Sequence, residues 1–251
     1  MAGHQTSGDA MTEAGQLYGV GVGPGDPDLM TKKAIDVLAR VDVVSFPKTQ
    51  SGRSMALDIA RQFIPADTAH LPFVLPMKTE RAPAIEAYDL AASAIATELS
   101  SGKSVAVLCE GDPLYYGSFM YLHQRLAGQF DVTVVPGITS LTAAAAVLGQ
   151  PLAARNDRLK ILPAPLDSAT LEGEILSADA VAIIKIGRHY NRVRELLDKV
   201  GLLSRAHVVS HATLENQTID RMDRIEPGEQ RYFSTILIYR GAEDWADRGQ
   251  D

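Results

Sequence analysis

The run Leu17-Tyr-Gly-Val-Gly-Val-Gly-Pro-Gly-Asp-Pro-Asp-Leu-Met-Thr31 sends a short apolar strand into a loop that almost no side chain can crowd. Glycine accepts positive φ and leaves the main chain open to close approach, while Pro24 and Pro27 fix φ and stop the strand from continuing. A strand that ends in a ligand loop is the expectation. The dinucleotide fingerprint GxGxxG is not completed, because Pro24 or Asp26 stands where the third glycine belongs in each register.

With 251 residues, 46% hydrophobic and 22% charged, the chain can bury a proper core as one large or two modest domains. A formal charge of −7 argues against a general nucleic-acid binder, whose phosphate contacts need a basic face. An anionic ligand therefore needs a local basic patch. The lone Cys109 excludes an internal disulfide and a multi-cysteine metal site, and fits a reducing cytoplasm. No stretch approaches the roughly 18 apolar residues of a membrane span, and Met1 to Gln16 lacks the apolar region of a signal peptide. The expectation is a cytoplasmic protein with no membrane partner. Residues 1–16 and 244–251 read as disordered tails.

Apolar runs alternate with amphipathic stretches: Leu17–Val22 as strand, Thr31–Arg40 as helix, Val41–Phe46 as strand, Ser54–Phe63 as helix, an edge strand near Leu71–Leu75, and a helix over Ala84–Ser100. Strand Ser104–Cys109, helix Ser118–Leu126 and strand Val132–Val135 follow. The second half offers a helix at Thr139–Leu148, strands near Lys160–Leu162, Ala180–Ile186, His207–His211 and Thr235–Tyr239, and a helix marked by Val193, Leu196, Leu197 and Val200. Such alternation predicts an α/β protein of two α/β domains, 17–137 and 138–243, with mixed, largely parallel sheets and an interdomain cleft.

Three segments share one layout, an apolar strand followed at once by a Gly/Pro turn: Gly21–Pro27, Gly111-Asp112-Pro113 and Pro136-Gly137. Ligands of parallel sheets sit beyond the carboxyl ends of strands, so neighbouring strands would gather these turns at one site. Asp112 has two readings, accepting hydrogen bonds from a ligand or capping the next turn. Tyr115 and Tyr116 are candidates to stack on a flat ligand or simply to pack. Thr139 or Ser140 caps a helix whose first N–H groups suit an anion or hydroxyl. Lys185-Ile-Gly-Arg-His-Tyr-Asn-Arg-Val-Arg194 holds four of the 24 Lys and Arg residues and no acid, at a predicted helix start where exposed cations are disfavoured by about 0.3–1 kcal/mol. A bound anion removes that conflict; a solvated face balanced by Glu195 and Asp198 is the alternative. His189, His207 and His211 make no metal-ligand spacing, and no metal is expected. Nucleophile-elbow and Walker patterns are absent too.

Gly21-Val-Gly-Pro-Gly-Asp-Pro27 with Asp28-Leu-Met-Thr-Lys-Lys-Ala34, then Glu110-Gly-Asp-Pro113, then Pro136-Gly-Ile-Thr-Ser140 resemble, in order and spacing, the tetrapyrrole methylases. The resemblance spans about residues 17–240. Tyr232-Phe-Ser234, Lys185 and Glu110-Gly-Asp-Pro-Leu-Tyr-Tyr116 look most like the branch acting on C-20 of precorrin-2 in corrin synthesis. The resemblance implies a homodimer that binds S-adenosylmethionine, releases S-adenosylhomocysteine, holds no metal, and methylates a small-molecule tetrapyrrole. Matched motif by motif, it assigns Pro24, Glu110, Gly111, Asp112, Tyr115, Thr139, Ser140 and Ala212 to the cofactor, Ala212 within a His211-Ala-Thr213 triplet where relatives commonly carry Asn-Gly-Thr. It sets the Gly23, Gly25 and Asp26 loop toward the tetrapyrrole. Lys185, Arg188 and Arg192 are candidates for the substrate carboxylates, with Arg53, Lys78 and Arg81 behind them. No catalytic base is named. The alternatives are the cobalt-loaded substrate of the anaerobic route, another tetrapyrrole, or a non-catalytic module that holds a nucleotide-like ligand.

Overall fold

Leu17–Gly21 forms β1, and Gly19 within it is glycine for a packing reason: the Phe119 ring lies 2.4 Å from where a Cβ would stand. The computed structural model describes residues 14–75, 81–226, 233–241 and 243. Of the expected tails, 1–16 and 244–251, residues 1–13 and 244–251 lie outside the described residues, as do Lys78 and Tyr232, whereas residues 14–16 are described and bonded to the first unit. At the start of the described chain, the Gly15 N–H donates to the Leu99 carbonyl and the Gln16 side chain to the Thr133 hydroxyl.

After β1 come α1 (Lys32–Leu38), β2 (Val43–Lys48), α2 (Met55–Ala60), β3 (Ala69–Val74), α3 (Arg81–Ser100), β4 (Val105–Cys109), α4 (Phe119–Leu126) and β5 (Val132–Val135). Hydroxyl caps set the first two helix starts, Thr31 accepting from the Ala34 N–H and Ser54 from the Leu57 N–H. All five strands run parallel in the order β3-β2-β4-β1-β5. Every residue of β4 is buried, as a central strand covered on both faces requires. Its two-residue period divides it: Ala106 and Leu108 pack with Val20, Val37 and Leu38, whereas Val105 and Val107 pack with Ile95, Leu99, Phe119 and Leu122. Each such leucine contributes about 1.5–3 kcal/mol of hydrophobic stabilisation.

The remaining chain builds α5 (Ser140–Leu148), β6 (Leu159–Pro163), α6 (Ser168–Leu176), β7 (Ala180–Ile184), α7 (Tyr190–Lys199), β8 (Ala206–Ser210), β9 (Thr218–Arg221) and β10 (Ser234–Tyr239). Their sheet has the order β6-β7-β10-β8-β9, with β6 and β7 parallel, β10 antiparallel to both neighbours, and β9 antiparallel to β8. Val193, Leu196 and Leu197 bury one face of α7 in a core shared with Leu171, Ile175, Ile183, Val208 and Ile236. The chain divides into two compact α/β units: one runs through Gly137, and the other joins Ile138 onward with Pro24–Asp26. Among the described residues no helix is long and apolar enough to cross a membrane.

Candidate functional site

In the first unit β4, β1 and β5 are parallel neighbours, so their carboxyl ends stand side by side. The turns that follow them touch. Gly23 and Gly111 exchange both backbone bonds, at 2.8 and 3.3 Å. A Cβ on Gly21 would sit 2.6 Å from both the Gly111 carbonyl oxygen and the Gly137 nitrogen; one on Gly137 would sit 2.0 Å from that same oxygen. What approaches these glycines is therefore the backbone of the other two turns. The Asp112 carboxylate fixes the arrangement, Oδ1 accepting from the Leu114 and Tyr115 N–H groups at 2.9 and 3.1 Å and Oδ2 from the Gly137 N–H at 3.1 Å. Of the two sequence-based roles for Asp112, the turn-capping one is present, with a second bond that ties two strand ends together.

Glu110 precedes this knot. Burial raises its carboxyl above the usual carboxylate range, against the backbone N–H groups of Glu110 and Ala56, which lower it. Cys109 is buried, and burial pushes its thiol up as well, leaving it inert. The Tyr115 hydroxyl is buried without a hydrogen-bond partner, and its pKa is pushed up to about 12, first by burial and then by Tyr116. At neutral pH it stays an unspent donor. The Tyr115 and Tyr116 rings meet edge to face at 5.2 Å and 84°. Tyr116 holds φ at 54° and is 45% exposed, beside Leu114 at 51%. Gly117 closes the turn so tightly that a Cβ would lie 2.5 Å from the Pro113 carbonyl oxygen.

In the second unit Thr139 caps α5, its hydroxyl accepting from the Thr142 N–H at 3.4 Å, and Ser140 begins the helix exposed. The Asp26 N–H donates to the Thr213 hydroxyl at 3.1 Å, and a Cβ on Gly25 would meet Leu214 at 2.7 Å. Gly25 thus gives room to protein side chains, and Thr213, which sequence reasoning left out, anchors the loop. Ala212 is buried and lies outside the left-handed region, so its methyl costs the backbone nothing. Its neighbours carry the strain: His211 has φ 51° and Thr213 φ 70°, with Lys185 at 58° after β7. Non-glycine residues held there cost about 1–3 kcal/mol each and gather at functional sites. β7 and β8 both flank β10, so Lys185 and His211 stand at the same sheet end, where His211 donates its N–H to the Phe233 carbonyl at 2.8 Å.

The basic run is more structural than its composition implies. The Arg192 guanidinium donates to the Ala164 carbonyl and, at 3.1 Å, to the Ser168 hydroxyl, and Arg194 donates to the Met222 carbonyl. Ala164 is buried, so its carbonyl needs a protein donor. Arg192, expected at the substrate carboxylates, is committed here to holding α7. Arg188 is exposed. Burial, then Arg192 and Arg188, hold the His189 pKa down. A separate apolar groove of about 280 Å³, lined by Leu71, Phe73, Val74, Leu90 and Ala91 among others, shares no residue with the three turns.

The family model for tetrapyrrole (corrin/porphyrin) methylases matches residues 16–224. A precorrin-2 C(20)-methyltransferase from Sinorhizobium sp is 36% identical over 244 residues, covering 93% of this chain and 97% of that protein. The cobalamin biosynthesis protein CobIJ of Mycobacterium bovis is 38% identical over 239 residues, 92% of this chain but 47% of that protein, so the chain spans about half the length of that relative. A Thermus thermophilus uroporphyrin-III C-methyl transferase solved with S-adenyl homocysteine superposes with a TM-score of 0.65 at 20% identity, over 90% of this chain and 92% of that one. By the extent of these matches, the chain belongs to the tetrapyrrole methylase family.

Proposed function

We propose that the protein transfers a methyl group from S-adenosylmethionine to the C-20 meso carbon of precorrin-2 in cobalamin biosynthesis. The observation that carries this reading is the 36% identity, over 93% of the chain, to the Sinorhizobium precorrin-2 C(20)-methyltransferase. The residues present fit the methyl donor in one respect, a buried Tyr115 hydroxyl with an unused hydrogen bond. By the family resemblance, Pro24, Glu110, Gly111, Asp112, Tyr115, Thr139, Ser140 and Ala212 would hold it. When bound, S-adenosylmethionine supplies an electrophilic methyl on a sulfonium that departs as a neutral thioether.

The chain's own task is alignment. Bringing carbon and methyl into line converts a bimolecular encounter into a step within one complex, worth several powers of ten in rate. Asp112 serves it indirectly by locking the turns after β4 and β5. Lys185 and Arg188 offer charge to the substrate carboxylates in a protein of net charge −7, while Arg192 contributes to the local field from its fixed position. Gly23, Gly25 and Asp26 shape the substrate side of the loop. The protein is read as a cytoplasmic homodimer, as the family resemblance and its single cysteine support.

Incubating the purified protein with methyl-labelled S-adenosylmethionine and metal-free precorrin-2 is expected to yield a product one methyl heavier, with the label on C-20. Label on another carbon, or faster turnover of the cobalt-loaded substrate, would replace this assignment. Cofactor binding without any transfer would make the chain a binding module.

A further inference from the structure

The ladder between β2 and β4 ends early. It stops at Ser45 and Val107, although β2 stays paired with β3 as far as Lys48 and β4 with β1 as far as Cys109. Beyond that point the two connections part. β2 leads to α2, which packs with Val44, Phe46 and Leu108 on one face, and then to β3 at one sheet edge; β4 leads to α4, which packs with Val105, Val107 and Cys109 on the other face, and then to β5 at the opposite edge. Neighbouring strands whose connections diverge in this way open a crevice beyond their carboxyl ends, where ligands of parallel sheets sit. The equivalent place between β4 and β1 is closed, because Gly23 and Gly111 bond to each other there.

The β2 side of that crevice is positive. By the two-residue period Lys48 continues the face of Val44 and Phe46. Arg53 lies at the other end of a turn closed by the Thr49 N–H, which donates to the Arg53 carbonyl at 2.8 Å, and by the Arg53 N–H, which donates to the Thr49 hydroxyl at 3.2 Å. Among the described residues neither side chain finds an ion pair or a hydrogen-bond acceptor, in a chain of net charge −7 where Lys32, Arg61, Lys103 and Arg125 of the same unit each hold an acid. Glu110 continues the same face of β4, but its carboxyl accepts from the Ala56 N–H and no cation opposes the burial that raises it.

We infer that Lys48 and Arg53 form a carboxylate-binding pair at the crevice between β2 and β4, and that the pair takes a rim carboxylate of the tetrapyrrole. The inference rests on the methyl-transfer reading and adds to it an anchoring point inside the first unit, for a substrate whose other candidate cations, Lys185 and Arg188, belong to the second. Charge decides between the two ligands of that reading. S-adenosylmethionine brings one carboxylate beside an ammonium and a sulfonium, a net cation that two unpaired cations repel, whereas a tetrapyrrole ringed by carboxylates is drawn to them. The pair orients the macrocycle and touches no reacting atom, so Lys48 and Arg53 are substrate-positioning residues.

Arg53 is exposed and Lys48 half-buried, so Arg53→Gln and Lys48→Gln are expected to keep the wild-type Tm. The probes are absorbance titration with uroporphyrin III as a stable tetrapyrrole polycarboxylate, calorimetric affinity for S-adenosylhomocysteine, and kcat and KM for precorrin-2, each at low and high salt. Each substitution is expected to weaken uroporphyrin binding about three- to fivefold at low salt, the upper range for an exposed ion pair, and the double variant about tenfold or more. The KM for precorrin-2 should rise in step while kcat and cofactor affinity hold, the loss should shrink as added salt screens it, and Lys48→Arg should bind as wild type does. Arg205→Gln removes an exposed cation without an ion pair among the described residues of the other unit, and as the control for net charge it should change none of these. Wild-type uroporphyrin affinity in the double variant, an equal loss in Arg205→Gln, or a loss confined to S-adenosylhomocysteine would each overturn the pair. A wild-type protein that neither binds uroporphyrin III nor methylates precorrin-2 would fail the functional reading itself, and the pair with it.

Discussion

One carboxylate, that of Asp112, accepts three backbone N–H groups from two different turns. Hydrogen bonds to a charged acceptor are worth about 1.5–3 kcal/mol each when buried, less where water can replace them. Asp112→Ala is therefore expected to cost about 2 kcal/mol of stability and to weaken S-adenosylmethionine binding. Asp112→Asn separates the two functions: its carbonyl can still cap Leu114 and Tyr115, but its amide hydrogens would face the Gly137 N–H. Thermal denaturation should find the Asn variant destabilised by the lost bond to Gly137, about 1.5–3 kcal/mol, and calorimetry with S-adenosylhomocysteine should find weaker binding; unchanged affinity would mean that the tie to Gly137 is not needed for the ligand. The Gly-Asp-Pro sequence made the cap legible. The bond to Gly137, 25 residues away, was not legible, because it depends on β1 lying between β4 and β5.

At the scale of elements, the glycines fall into those the fold requires and those it tolerates. Gly137→Ala would drive a methyl to 2.0 Å from the Gly111 carbonyl, with backbone rather than a flexible side chain in the way, and should destabilise the first unit by roughly 3 kcal/mol or more. Gly173 lies exposed inside α6 with nothing within 4 Å of its Cβ position, so Gly173→Ala should stabilise by about 0.5–1 kcal/mol. Thermal denaturation of the pair tests both signs. The sequence showed β1, β4, β5 and α7 because their apolar spacing reports burial on one or both faces. It hid β9, whose Thr218–Arg221 is polar and mostly exposed, and whose pairing comes only from β8 beside it. α6 was readable and passed over: Asp167 caps it, and Leu171 and Ile175 stand one turn apart. No local pattern foretells the left-handed Lys185, His211 and Thr213, since their strain is imposed by the strands they terminate.

For the molecule as a whole, the acidic total makes each exposed cation count. Arg188→Glu should raise the KM for a polycarboxylate substrate by roughly tenfold at low salt, with the effect shrinking as added salt screens it, and should leave cofactor affinity unchanged. A change in cofactor affinity without one in KM would remove Arg188 from the substrate. The strand order carries another consequence. β10, the last of the ten strands among the described residues, lies between β7 and β8 rather than at a sheet edge. As the polypeptide leaves the ribosome, the parallel sheet of the first unit can assemble once Val135 has emerged, whereas the second sheet must wait for Ser234–Tyr239 to fill its gap. Until then β7 and β8 each expose an unpaired edge, so a nascent chain stalled before Ser234 is the form of this protein most in need of a chaperone.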